Sequence, residues 1–164
     1  KMDQSGIVIR APGPGDLGWI ISEHGHHYVQ REGFDPDFER VVAEVLVNFL
    51  TVRDPDREAL WVVTLDGQRV GSLLCADEGE DARFRLFYVN PSCRGRGVGT
   101  RLLDHGIRAA KDMGYERIAL STHAEQEGAC RLYAAAGFTI EDSNRSTAYG
   151  RVLNEQTWVL PLTE

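Results

Sequence analysis

Six residues near the middle of the chain, Arg94-Gly95-Arg96-Gly97-Val98-Gly99, combine charge, backbone freedom and position in a way that suits an anion. An apolar run, Leu86-Phe87-Tyr88-Val89, precedes them, and after them Val98, Leu102, Leu103, Ile107, Ala110 and Met113 recur at helical spacing. A strand, a glycine turn and a new helix aim free backbone N–H groups and the positive end of a helix dipole at one point. Glycine there lets the chain come close to a ligand. Arg94 and Arg96 add whole charges, and Thr100 adds a further amide. Two anion motifs fail the comparison. A dinucleotide fingerprint wants a third glycine where Thr100 stands and an acid after the next strand, where Ser121-Thr122-His123 has none. A triphosphate loop wants Gly-Lys-Ser/Thr, and the chain reads Val98-Gly99-Thr100. The residues alone leave an anion seat of the form Arg-x-x-Gly-x-Gly beside a plainer alternative, a glycine-rich turn with solvated arginines.

The surroundings favour the anion. The 164-residue chain has 18 Lys and Arg against 25 Asp and Glu, a net charge of −7, which disfavours general attraction to nucleic acid or anionic membrane. Residues 82–101 reverse that balance with Arg83, Arg85, Arg94, Arg96 and Arg101 and no acid. At this length and 42% hydrophobic content, one domain spanning 1–164 is expected, burying roughly 70% of its unfolded surface. Residues 1–5 read as a tag remnant or an unstructured start, because Lys1 precedes Met2. Cys75, Cys93 and Cys130 are too few and too scattered for a disulfide framework or a CxxC pair, and no base is identifiable beside Cys93. No apolar run approaches the roughly 18 residues of a membrane span, and the start lacks the apolar region of a signal peptide. A cytoplasmic protein is the expectation.

Stepping along the chain, Gly6 to Arg10 reads as a strand stopped by Ala11-Pro12-Gly13-Pro14-Gly15. Asp16 can cap a short helix through Leu17, Trp19, Ile20, Ile21 and His24, ended by Gly25. Asp35 as N-cap and Pro36 open a second helix with Phe38, Val41, Val42, Val45, Leu46 and Phe49 on its apolar face. Strands at Leu60–Val63 and Val70–Ala76 meet at an Asp66-Gly67 hairpin turn, and a third, Phe84–Val89, follows an acidic turn at Asp77–Asp81. Beyond the helix from Val98 to Met113, Ile118-Ala119-Leu120 should run parallel to that third strand. A helix over about Glu125–Ala136, a strand from Phe138, a polar loop at Asp142–Ser146 and a last strand at Gln156–Leu162 complete the order.

Arg94-x-x-Gly97-x-Gly99, after a strand and at the head of a helix, resembles the pyrophosphate signature of the GNAT superfamily of acyl-CoA-dependent N-acyltransferases. Ala129-Cys130-Arg131-Leu132-Tyr133-Ala134-Ala135-Ala136-Gly137-Phe138 is similar to the superfamily's Ala-x-x-x-Tyr-x-x-x-Gly-Phe segment, and the element order matches along the whole chain. At finer grain, Pro14 to Ile20, His24-Gly25, Glu32-Gly33-Phe34 and a tail with Gly150, Leu153 and Trp158 resemble the acetyltransferase domains fused behind MarR-type regulators. The resemblance implies a GNAT fold of α/β (α+β) class: a mixed, mostly antiparallel sheet of six to seven strands, about four helices, and a splayed central strand pair.

It also implies roles. Acetyl-CoA would lie with its diphosphate on Arg94, Gly95, Arg96, Gly97, Val98, Gly99 and Thr100 and its arm along Phe87, Tyr88 and Val89, with Gln126 standing where many members have asparagine. Tyr133 matches the family's general acid. Where several members carry a glutamate base on the third strand, this chain has Arg83 and Arg85, so the candidates for a base are Glu32, His24, His123 and Glu125. Trp19, Tyr28 and Phe34 would shape the acceptor pocket. A metal site built on His24, His26 and His27 lacks an evident further ligand, and none is expected. The reaction implied is acetyl transfer to the primary amine of a small molecule, with acidic composition mildly favouring cationic amines. The alternatives are a CoA-sensing module without turnover and an arginine-patch nucleic-acid binder. A homodimer is one expected assembly.

Overall fold

A computed structural model describes residues 5–52 and 54–163; of residues 1–5, read as a tag remnant or an unstructured start, 1–4 lie outside them, and the Ser5 hydroxyl accepts the Ile7 N–H at 3.3 Å. In chain order the elements are β1 (Ile7–Arg10), α1 (Asp16–His24), α2 (Asp37–Val52), β2 (Ala59–Leu65), β3 (Gln68–Glu78), β4 (Asp81–Val89), α3 (Val98–Asp112), β5 (Arg117–His123), α4 (Glu127–Ala135), β6 (Thr139–Ala148) and β7 (Arg151–Pro161). The strands form one seven-stranded sheet ordered β1-β2-β3-β4-β5-β7-β6. Among the described residues only β4 and β5 pair in parallel, joined by the crossover through α3. The expected mixed, mostly antiparallel sheet with four α-helices is what forms.

Successive β3 residues divide the core. Leu73 joins Phe84, Val98, Leu102 and Leu103 on one face, and Leu74 joins Ile20, Val42, Leu46 and Phe49 on the other. Each such side chain contributes roughly 1.5–3 kcal/mol by leaving water. α2 starts as predicted, with the Asp35 carboxylate accepting the Asp37 N–H at 2.9 Å.

Three expectations fail. Asp16 does not cap α1: Gly15 stands at the N-cap with no side-chain cap bond, and the buried Asp16 carboxylate pairs with Arg10 and Arg69 instead. Gly25 does not end the first helix; it stays helical (φ −61°), and the chain continues as a π-helix over Gly25–Arg31. The stretch Asp142–Ser146 is not a loop but part of β6, paired with β7 from Asp142↔Thr157 to Ser146↔Leu153. As an edge strand exposed on nearly every side chain, it carries no alternation to read. The turn is instead Tyr149-Gly150, with φ of 50° and 78°. A tyrosine seldom adopts that conformation, and this one is held by its surroundings: its ring stacks on Phe34 at 5.5 Å and its carbonyl accepts the Asp35 N–H at 2.8 Å.

The feature that opens the sheet lies in β4. Tyr88 faces Ser72 and Arg85 faces Leu74, so Leu86 and Phe87 together oppose Leu73, a bulge with Leu86 at φ 55°. The fully buried Ser72 hydroxyl fixes it by donating to the Leu86 carbonyl at 2.8 Å. Pairing of β4 with β5 runs only from Asp81↔Arg117 to Phe84↔Leu120. Beyond Phe84 the two strands part, giving the splay the resemblance implies.

Candidate functional site

Two cavities meet at the splay. The first, about 630 Å³, lies between the end of β4, the glycine turn and the start of α4. In the turn, the amides of Arg94, Arg96 and Arg101 bond to the carbonyls of Pro91, Cys93 and Gly97. Those of Gly95, Gly97, Val98, Gly99 and Thr100 have no partner among the described residues, and all five residues line the cavity. Gly95 and Gly97 take φ of 79° and 80°, which turns those donors the same way. A run of free N–H groups at the head of a fifteen-residue helix fits a diphosphate. Gly99 has a different reason: a Cβ would meet Leu132 Cδ1 at 2.7 Å, so its absence lets α3 close on α4. Arg94 lines the cavity, whereas Arg96 does not and reaches toward Asp66 at 3.9 Å.

The second cavity, about 470 Å³, sits between α2 and the parted strands, with Phe38, Val41 and Val45 on one wall and Arg83, Arg85 and Tyr133 among the others. Tyr28, Phe87 and Gln126 line both cavities, so the two are joined at these residues. Trp19 lines neither; it packs against the core of α1 and α2. Phe34 stands a layer back, its ring 5.3 Å from that of Tyr28, which it supports.

Glu32 gathers the polar groups. Its carboxylate is 2.9 Å from His27 Nε2 and 3.7 Å from His123 Nε2, and Gln126 donates to it at 3.3 Å. Burial alone would raise this carboxyl, but His27, His123 and Gln126 together hold it below the ordinary glutamate value. His123 is lowered too, in its case by burial, despite the opposing carboxylates of Glu32 and Glu125. Arg151 fixes the backbone here, donating to the Glu32 carbonyl at 2.7 Å, with its guanidinium over the Phe34 ring. Glu125 bonds outward to Asn154.

His27 and Arg151 escape a reading of the sequence. The π-helix brings residues five apart together, and the Glu32 N–H bonds to the His27 carbonyl at 3.2 Å. A search for helical spacing of three or four does not find that pair. Tyr149 escapes for a similar reason, since only the hairpin register carries it to the cavity.

Of the other histidines, His24 lines the second cavity and His26 lines neither. His26 Nδ1 meets the Ser22 carbonyl and His24 Nδ1 the Ile20 carbonyl, each at 2.8 Å. The described residues hold no group of three or more His, Cys, Asp or Glu placed to share a metal ion. His24 is buried between the rings of Tyr28 and Tyr88, and burial lowers its pKa from 6.5 to about 4. The unfolded chain therefore takes up this proton first as acid is added. The stability contributed by the neutral ring is complete above pH 6.5 and is lost as pH falls toward 4. Between pH 7 and 5, denaturant titration should show a loss of about 2 kcal/mol from this group, absent from the His24→Phe variant.

Tyr133 is buried on α4, with ring centroids of Phe87, Phe138 and Trp158 at 5.7, 5.9 and 6.0 Å. Its hydroxyl has no hydrogen-bond partner among the described residues, and burial pushes its pKa up. It lines the cavity on the far side of the splay from the glycine turn. No helix among the described residues is long and apolar enough to cross a membrane.

Known proteins are similar to this chain in sequence and in fold. The chain is 28% identical over 113 residues to an uncharacterised N-acetyltransferase of Methanocaldococcus jannaschii, covering 65% of this chain and 50% of that one. It is 36% identical over 127 residues to a mycothiol acetyltransferase of Propionibacterium freudenreichii, covering 76% of this chain and 35% of that one. It thus spans half or less of the length of these two relatives. Among solved structures, spermidine N-acetyltransferase from Vibrio cholerae, in complex with CoA and spermine, superposes with a TM-score of 0.75 at 18% identity, covering 97% of each chain. The model of the acetyltransferase (GNAT) family matches residues 22–138, a span that takes in the π-helix, the bulge, the glycine turn and Tyr133. With the motifs, the splayed sheet and this match agreeing, the chain belongs to the GNAT acetyltransferase family.

Proposed function

We propose that the chain transfers an acetyl group from acetyl-CoA to the amine of a small molecule by direct attack, with both substrates bound at once. The observation that carries this reading is the meeting of the two cavities at Tyr28, Phe87 and Gln126, one ending in the five free amides of the glycine turn and the other reaching Tyr133. Acetyl-CoA would supply an activated thioester, its diphosphate held by the amides of Gly95 to Thr100 and by Arg94. The edge of β4 beyond Phe84, freed from β5, offers backbone amides near Phe87–Val89 to the charge that develops on the thioester oxygen.

Glu32 takes the amine proton, with His27 and His123 fixing its orientation, and Tyr133 gives a proton to the departing thiolate. His24 shapes the wall instead of acting as a base, because its Nδ1 is committed to the Ile20 carbonyl and its ring is buried. A CoA-sensing module draws support from Arg83 and Arg85 standing where a base is expected. Glu32 supplies that carboxylate from another element, which favours turnover.

The narrower likeness to domains behind MarR-type regulators rests on sequence alone; of its pieces, Glu32 and Phe34 lie at or directly behind the site. Residence in the cytoplasm and pairing as a homodimer accompany this reading, and three free thiols suit a reducing setting. The test follows free thiol on mixing the protein with acetyl-CoA and a panel of primary amines. Release that depends on the amine is expected. Tight CoA binding with no release for any amine would establish the sensing module instead.

A further inference from the structure

We infer that the accepted amine also carries a carboxylate, as an amino acid with an apolar side chain does, and that Arg85 receives it; this rests on the acetyl-transfer reading above. Arg83 and Arg85 share one face of β4, the face toward α2, because they precede the bulge and lie two residues apart. Both line the second cavity, but they are not equivalent. Arg83 is committed, with Nε on Glu78 at 3.1 Å and Nη1 on the Ser121 hydroxyl at 3.1 Å. Arg85 is exposed and has no ion pair or hydrogen bond among the described residues.

The one carboxylate lining this cavity, that of Glu78, is already engaged by Arg83. A simple alkylammonium entering would therefore face an uncompensated guanidinium. A substrate that brings its own carboxylate removes the repulsion and gains a fork of charged donors suited to a planar acid. Phe87, in the wall shared by the two cavities, is two residues beyond Arg85, just across the bulge at Leu86. An acid held by the arginine would thus present a nearby amine toward the thioester. Phe38, Val41 and Val45 opposite offer an apolar wall for a side chain. The inference runs against the preference for cationic amines read from composition: the net charge of −7 belongs to the whole surface, and the cavity wall is locally positive.

The test compares kcat/KM for leucine and phenylalanine with their amides and with isopentylamine and phenethylamine. The amide's amine is the less basic, which biases the comparison against the expected result. The acids should be preferred about 10- to 30-fold, a preference that R85Q abolishes by slowing the acids and that R85K keeps in part. Because Arg85 is exposed and unbonded, R85Q should melt with the parent, and rates with the amides and alkylamines that are kept, or raised by loss of the repelling charge, verify that it is folded. Equal rates for acids and amides in the parent, or a preference that survives R85Q, would overturn the inference while leaving acetyl transfer intact. No thiol release from any compound, the plain alkylamines included, would overturn both.

Discussion

Replacing Glu32 with glutamine should lower kcat/KM for amine acetylation about 1000-fold, near the middle of the range for loss of a general base. The magnitude follows from what the carboxylate does. An alkylamine with a pKa of about 10 is mostly protonated at neutral pH, and a carboxylate held below the ordinary glutamate value cannot strip it in advance. During attack, however, the nitrogen gains positive charge and its proton becomes strongly acidic, and Glu32 is ionised and placed to accept it. Glutamine keeps the shape and the link to Gln126 but has no basic oxygen, and it leaves His27 without its anionic partner. Stopped thiol assays across pH would check this. CoA affinity should be unchanged, and the variant's rate should recover as pH approaches the pKa of the amine. A loss below tenfold would make Glu32 a brace for the π-helix and not the base.

Tyr133→Phe should lower kcat about 100-fold while the dissociation constant for CoA stays within about twofold. The ring contacts with Phe87, Phe138 and Trp158 survive the change. No described group loses a partner, so the variant avoids the cost of a stranded buried donor or acceptor. What disappears is an O–H that burial keeps protonated well above neutral pH, as the acid serving a departing thiolate must be. Equilibrium binding of CoA and single-turnover thiol release separate the two possibilities. If affinity falls with turnover, the phenol is a packing element.

Much of this was legible in the residues. Helical spacing from Val98 onward and the Asp66-Gly67 turn locate α3 and the hairpin, because each depends on local periodicity or local backbone freedom, while Tyr133 is singled out by the family resemblance of its segment alone. What escaped depends on departures from regular periods. The π-helix pairs His27 with Glu32 at a spacing no α-helical template holds. The edge strand β6 is wet on both sides and reads as loop. The charged turn and the family resemblance place Arg96 and Trp19 at the ligands, whereas the fold turns Arg96 toward Asp66 and packs Trp19 against the core of α1 and α2. Arg85, by contrast, looked like a missing base and becomes the residue with most to say about the acceptor.

The extra residue at Leu86 has a consequence for how such a chain can change over time. Alternation along β4 is reset at the bulge: Arg83 and Arg85 face α2, and after it Phe87 contacts Tyr133 of α4 from the other face of the sheet while Tyr88 turns to His24. Odd-numbered positions therefore face α2 before the bulge and α4 after it. Substitution at 83 or 85 can retune the acceptor without touching the donor. Loss or gain of one residue between 85 and 88 would exchange the two faces at a stroke. Lineages descended from this chain should diverge freely in residue type along β4 yet conserve its length, with insertions and deletions collecting at the hairpin tips.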